Sequence, residues 1–160
     1  MKEVKIETTL QVFNDVSDLP DQIQKLMAAA TKARETAYAP YSKFKVGAAI
    51  LLDNDEVITG SNQENASYPS GLCAERTAIF YAGAKYPDAQ IRIMALTASS
   101  QQQITDTPIP PCGACRQSIA EYEIKQENPI EIYFMGAKGK VVKSNSLANL
   151  LPLGFDRSFL

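Results

Sequence analysis

Apolar side chains recur at Leu19, Ile23, Leu26, Met27, Ala30 and Ala37, directly behind Asp18 and Pro20. Their spacing predicts an amphipathic helix from about 19 to 36, with a proline near its start, where a missing N–H does little harm. Ahead of it, VKIETTLQVF mixes polar and apolar positions and reads as a strand. After the loop signal in APYSKF, a strand is expected over Val46 to Leu52; DNDE reverses it and VITGSN returns as a hairpin partner. ENASYPSG then brings the chain to a second helix, from about Cys73 to Lys85. A buried-looking strand, IRIMALTAS, and a loop rich in Gln and Thr lead to PIPPCGACRQ, where the prolines stop and a third helix runs to about Glu123. Strands IEIYFMG and KVVKS, a short SLANLL helix and an irregular tail complete the chain.

Strands alternating with helices are the pattern of crossover units, so the expected architecture is α/β, a mixed sheet flanked by helices. The helices that follow Ser70 and Pro111 each come after a strand. They therefore begin at the same sheet edge, and their N-termini can face one another. No internal repeat, low-complexity tract or linker divides the sequence, and residues 1–160 read as one domain.

Composition changes this picture mainly by exclusion. At 160 residues the chain can bury roughly two-thirds of its unfolded surface, enough for a core without disulfide staples. Its 16 basic and 18 acidic residues give a net charge of −2, with no basic stripe interleaved with aromatics to hold a phosphate backbone. Nucleic acid is not an expected partner. No window reaches the roughly 18 apolar residues of a membrane span, and the N-terminal stretch lacks the basic and apolar regions of a signal peptide. A cytoplasmic protein is expected. With no histidine, Ser-His and Cys-His nucleophiles are excluded, and a transition-metal site must use sulfur and carboxylate.

Three cysteines cannot form a fully paired framework within one chain, and in a reducing compartment such spacings favour metal binding or catalysis. Cys112 and Cys115 stand at i and i+3 in the first turn of the third helix, so both sulfurs can lean toward one point; Cys73 opens the second helix. Helix N-termini carry partial positive charge that stabilises thiolates. Three ligands leave tetrahedral zinc one open position, as in a catalytic site, and Glu75 is placed to move a proton there. The C-x-E and P-C-x-x-C spacing is a documented signature of zinc deaminases. Because three thiolates leave the shell at a formal charge of −1, Arg76 and Arg116 are candidates to offset it by hydrogen bonding to sulfur.

At CAERTA and PCGACRQ the sequence resembles the small, homotetrameric zinc-dependent cytidine deaminases, and the resemblance extends through AYAPYSKFKVGAA, GSNQENASYPSGLCAERTA and LLPLGF, about Thr31 to Phe155. It implies a three-layer α/β/α sandwich with a mixed central sheet, one zinc ion per subunit, and hydrolysis of cytidine and deoxycytidine to uridine and deoxyuridine. Matched residue by residue, it assigns Asn62 and Glu64 to the ribose hydroxyls, Phe44 to the pyrimidine face, the backbone at Ala74 to the base, and Phe155 to a neighbouring subunit's pocket. Water activated at the metal attacks C4, while Glu75 protonates N3 and later the departing amine. Residues 1–16 stand outside the resemblance as an N-terminal extension, and QQQITDTPIP also departs from it. Other classes are a deaminase of a cytosine-containing antibiotic, against which the Asn62 and Glu64 pair argues, and an RNA- or DNA-editing deaminase, disfavoured by charge. A non-catalytic zinc-stabilised module is the third, opposed by Glu75 beside the open position.

Overall fold

In the computed structural model, which describes residues 1–160, the elements run β1 (Gln11–Phe13), α1 (Asp21–Glu35), β2 (Phe44–Leu52), β3 (Val57–Ser61), α2 (Ala74–Lys85), β4 (Ile91–Ser100), α3 (Gly113–Gln126), β5 (Glu131–Met135) and β6 (Val141–Ser144). One six-stranded sheet has the order β1-β6-β5-β4-β2-β3. Only β4 and β5 are parallel, joined by the crossover through α3; the other pairs are antiparallel.

The two faces of the sheet follow the strand alternation of side chains. On β2, Ala48, Ile50 and Leu52 face α2 and α3, meeting Ala78, Ile79, Ala82 and Ile119, while Ala49 and Leu51 face α1. The helical stripe Ile23, Leu26, Met27 and Ala30, with Leu19 just ahead of the helix, lies buried against that second face with Ala95, Tyr133 and Met135. Burying each large member of this stripe contributes roughly 2 kcal/mol. Helices therefore cover both faces, and the three layers form the α/β/α sandwich with a mixed sheet. No helix is long and apolar enough to cross a membrane.

Two glycines set how closely the helices approach. A Cβ on Gly47 would stand 2.0 Å from the Ala30 carbonyl oxygen and 2.5 Å from the Arg34 amide, so only glycine lets α1 lie this close to β2. On the opposite face, Gly60 makes the same room for α2, where a Cβ would come within 2.7 Å of the Ala74 oxygen. This second contact brings the start of α2 down onto β3.

Element boundaries differ from expectation in three places with physical causes. The N-terminal strand is confined to Gln11–Phe13 because its sole partner, β6, offers only the ladder Val141–Lys143. Helix α1 begins after Pro20, which stands as its N-cap, so Leu19 packs from the preceding turn. The SLANLL segment closes as a single 3-10 turn, Leu147–Asn149, capped by Ser146.

Candidate active site

Strands β3 and β4 both run antiparallel to β2, so α2 and α3 start at the same edge of the sheet. Cys73 is the N-cap of α2, Cys112 the N-cap of α3, and Cys115 lies one turn into α3 with its side chain wholly buried. All three sulfurs lie within 4.8 Å of one another. A tetrahedral ion with Zn–S bonds of about 2.3 Å sets its sulfurs about 3.8 Å apart, and Cys73 Sγ stands 3.8 Å from Cys112 Sγ. Donor set, spacing and helix-terminal placement fit one zinc ion.

The charge distribution is that of a thiolate site. Hydrogen bonding to the Cys115 thiol, with Arg76 and Cys112 alongside, holds the Cys73 thiol down at about 5 against burial. Cys115, hydrogen-bonded to that thiolate and buried, is pushed the other way and keeps its proton until a cation takes the proton's place. Glu75, in the first turn of α2, is only 5% exposed; burial pushes its carboxyl above the ordinary carboxylate range, and the Cys73 charge adds to the shift. A carboxyl raised in this way holds its proton more readily than an exposed one, which suits a group that both takes and gives one.

The two arginines separate. Arg76 Nη2 donates to Cys73 Sγ at 3.9 Å, and the thiolate keeps the guanidinium firmly charged. Its Nε is buried without a partner in the chain. Arg116 instead donates from Nε to the Pro111 carbonyl at 2.8 Å and from Nη1 to the Leu150 carbonyl at 2.9 Å. Its hydrogen bonds tie the loop before Cys112 to the C-terminal segment, and none of them reaches a sulfur.

Beside Cys73 opens a cleft of about 470 Å³ lined by Tyr41, Asn62, Glu64, Tyr68, Leu72 and Arg76, among others. Asn62 and Glu64 lie just beyond β3, and each is engaged with the segment that enters β2. Asn62 Nδ2 donates to the Phe44 carbonyl at 3.0 Å while its Oδ1 accepts from the Val46 amide at 2.8 Å. Glu64 accepts from the amides of Tyr41 and Ser42 and from the Ser42 hydroxyl. Phe44 itself is half-buried at the start of β2. Ala74, at the first position of α2, is fully buried, and its N–H belongs to the helical turn that has no intrahelical acceptor.

Phe155 is not brought into this cleft. It is 56% exposed and stacks on Phe159 with ring centroids 5.5 Å apart, in a tail held by Gln117 Nε2 donating to the Phe155 carbonyl.

Residues 20–128 match the family model described as the cytidine and deoxycytidylate deaminase zinc-binding region. The chain belongs to this deaminase family. Within it, a cytidine deaminase of Sporosarcina psychrophila is 41% identical over 138 residues, spanning 86% of this chain and 94% of the relative. Another, from Halalkalibacterium halodurans, is 49% identical over 98 residues, spanning 61% of this chain and 70% of the relative. The crystal structure of cytidine deaminase from Burkholderia pseudomallei aligns with a TM-score of 0.71 at 38% identity, over 86% of this chain and 100% of that one. The one from Mycobacterium tuberculosis gives 0.65 at 31% identity, over 86% and 98%.

Against this family background, the structure adds Tyr41, Ser42, Tyr68 and Leu72 to the residues around the cleft. Tyr41 and Ser42 fall inside the AYAPYSKF motif, so a sequence signal for them existed. Tyr68 and Leu72 come from the loop before α2, where side-chain direction is not readable from residue type.

Proposed function

We propose that this protein hydrolyses the C4 amino group of cytidine and deoxycytidine, releasing ammonia and forming uridine and deoxyuridine. The observation that carries the reading is the convergence of three thiols at two helix starts, with a buried carboxyl of raised pKa in the same first turn.

Cys73, Cys112 and Cys115 hold the zinc ion, which when bound supplies Lewis-acid activation of water as the nucleophile at C4. Glu75 would accept the proton released by that water and deliver it to N3. It would then take the proton of the hydroxyl now on C4 and pass it to the departing amine, leaving the C4 carbonyl of the product as the C–N bond breaks. Because Glu75 is shielded from bulk solvent, the proton it receives is retained for the substrate. Arg76 draws negative charge from the Cys73 sulfur. The unpaired N–H of Ala74 is available to the base, and Phe44 supplies an apolar face for the ring. Glu64, still exposed toward the cleft, presents carboxylate oxygens to the sugar hydroxyls beside Asn62.

An exposed Phe155 on a tail outside its own cleft supports the reading that it covers the site of a neighbouring copy, within a homotetramer. The substrates are small soluble nucleosides, which fits a cytoplasmic role in pyrimidine salvage, with residues 1–16 as an N-terminal extension whose Gln11–Phe13 stretch adds the edge strand β1 to the sheet. Zinc content together with ammonia release from cytidine tests the proposal. One zinc per chain is expected, with turnover that falls by roughly 10²–10⁴ in Glu75→Gln while zinc stays bound. A zinc-loaded wild-type protein that releases no ammonia would overturn it.

A further inference from the structure

The segment Tyr41–Phe44 enters the site in a conformation that needs support. Lys43 has φ of 55°, in the left-handed region where a side chain other than glycine is strained by about 1–2 kcal/mol. The strain is held from both sides by Ser42. Its hydroxyl donates to Glu64 Oε1 and accepts from the Phe44 amide at 3.0 Å, spanning the strained residue. Its own amide and that of Tyr41 donate to the other Glu64 oxygen, at 3.3 and 2.9 Å. One hydroxyl thus connects the carboxylate assigned to the sugar with the backbone of the ring assigned to the base.

We propose that Ser42 is a positioning residue for the nucleoside: its hydroxyl, shared between Glu64 and the Phe44 amide, fixes the distance between sugar acceptor and base platform. This rests on the roles given to Glu64 and Phe44 above. The two groups lie on chain segments about twenty residues apart; Asn62 also ties to the Phe44 carbonyl, but Ser42 is the side chain that bonds both the Glu64 carboxylate and the Phe44 backbone. Removing the hydroxyl frees Glu64 to rotate and lets the Lys43 turn relax, so the loss is felt in substrate binding. The chemistry at the metal edge, carried by Cys73 and Glu75, is untouched.

The experiment compares Ser42→Ala and Ser42→Thr with wild type on cytidine and on 2′,3′-dideoxycytidine, which lacks both hydroxyls that Glu64 and Asn62 would hold. A lost hydrogen bond to a charged group corresponds to roughly a 10- to 100-fold rise in KM for cytidine, with kcat changed less than threefold. Ser42→Thr keeps the hydroxyl and should restore KM to near wild type. On the dideoxynucleoside the Ser42→Ala penalty should shrink by most of that factor, which a general loosening of the fold would not produce. Should Ser42→Ala fail to fold by thermal melting, Ser42→Cys keeps the side-chain volume with a weak donor and supports the same comparison.

A KM for Ser42→Ala within twofold of wild type, or an equal penalty on both substrates, overturns the proposal. Glu64→Gln separates this from failure of the underlying roles. If Glu64→Gln raises KM for cytidine and Ser42→Ala does not, the assignment of Ser42 is wrong; if Glu64→Gln leaves sugar discrimination unmoved, the role given to Glu64 has failed.

Discussion

Arg116→Met isolates a structural contribution that residue type and spacing do not reveal. Methionine keeps an apolar stem of similar reach and deletes only the guanidinium. The wild-type side chain makes two charge-assisted hydrogen bonds, to the carbonyls of Pro111 and Leu150, which are themselves buried. Each such bond is worth about 1.5–3 kcal/mol when the carbonyl is left without a partner. Arg116 is half-buried, so water recovers part of this, and a net loss of about 3 kcal/mol follows. At about 2–4 °C per kcal/mol for a chain of this size, Tm should fall by about 6–12 °C. Pro111 immediately precedes Cys112, so the variant should also lose zinc faster to a chelator. Differential scanning calorimetry at saturating zinc, with a colorimetric release assay, measures both. A Tm within about 2 °C of wild type would show that the two hydrogen bonds do not brace the α3 start, and the structural role of Arg116 would be refuted.

Arg76→Gln should behave oppositely: Tm within about 2 °C of wild type, because the side chain is partly exposed, but a pH–rate profile displaced upward by roughly one unit once the Cys73 charge is no longer offset. An unchanged profile would remove Arg76 from the electrostatics of the site. Gly47→Ala must push α1 off the sheet, since the new methyl meets backbone at 2.0 and 2.5 Å, and should cost at least about 3 kcal/mol or prevent folding. Gly113→Ala, with nothing within 4 Å, should be neutral or slightly stabilising, and equal melting of the two variants would contradict the close-approach account. For Glu64, the Ser42 hydroxyl holds the carboxyl below its ordinary 4.5, with the Tyr41 and Ser42 amides assisting. A depressed folded value means its contribution is complete above 4.5 and lost only as pH falls through the lower value. KM for cytidine should therefore stay flat from about pH 8 to about pH 5; a rise starting near neutrality that Glu64→Gln abolishes would count against this.

How far the site could be read from sequence depended on where each partner group resides. The thiols were legible because all three belong to one residue type and sit at helix starts, whose common edge follows from strand and helix order alone. Helix α1 was legible for a similar reason: Leu19 to Ala30 repeat on one face, and that face is buried. Helix α2 is less regular, because Phe80 and Tyr81 stay exposed on its outer side, so its identity rested on length and flanking signals. The roles of Arg76 and Arg116 could not be separated in sequence, since each directly follows a site residue. What separates them is the Leu150 carbonyl, 34 residues away, an acceptor that every residue type possesses. Asn62 and Glu64 pose the same difficulty. Their spacing suits a diol, yet most of their hydrogen bonds go to backbone at positions 41 to 46, and backbone acceptors and donors leave no trace in residue identity. A pocket whose polar groups are already bonded to its own wall offers the substrate only their remaining lone pairs and protons. Its selectivity then depends on the wall staying fixed, which is why a small exposed hydroxyl such as Ser42 can matter to binding while contributing nothing to the metal.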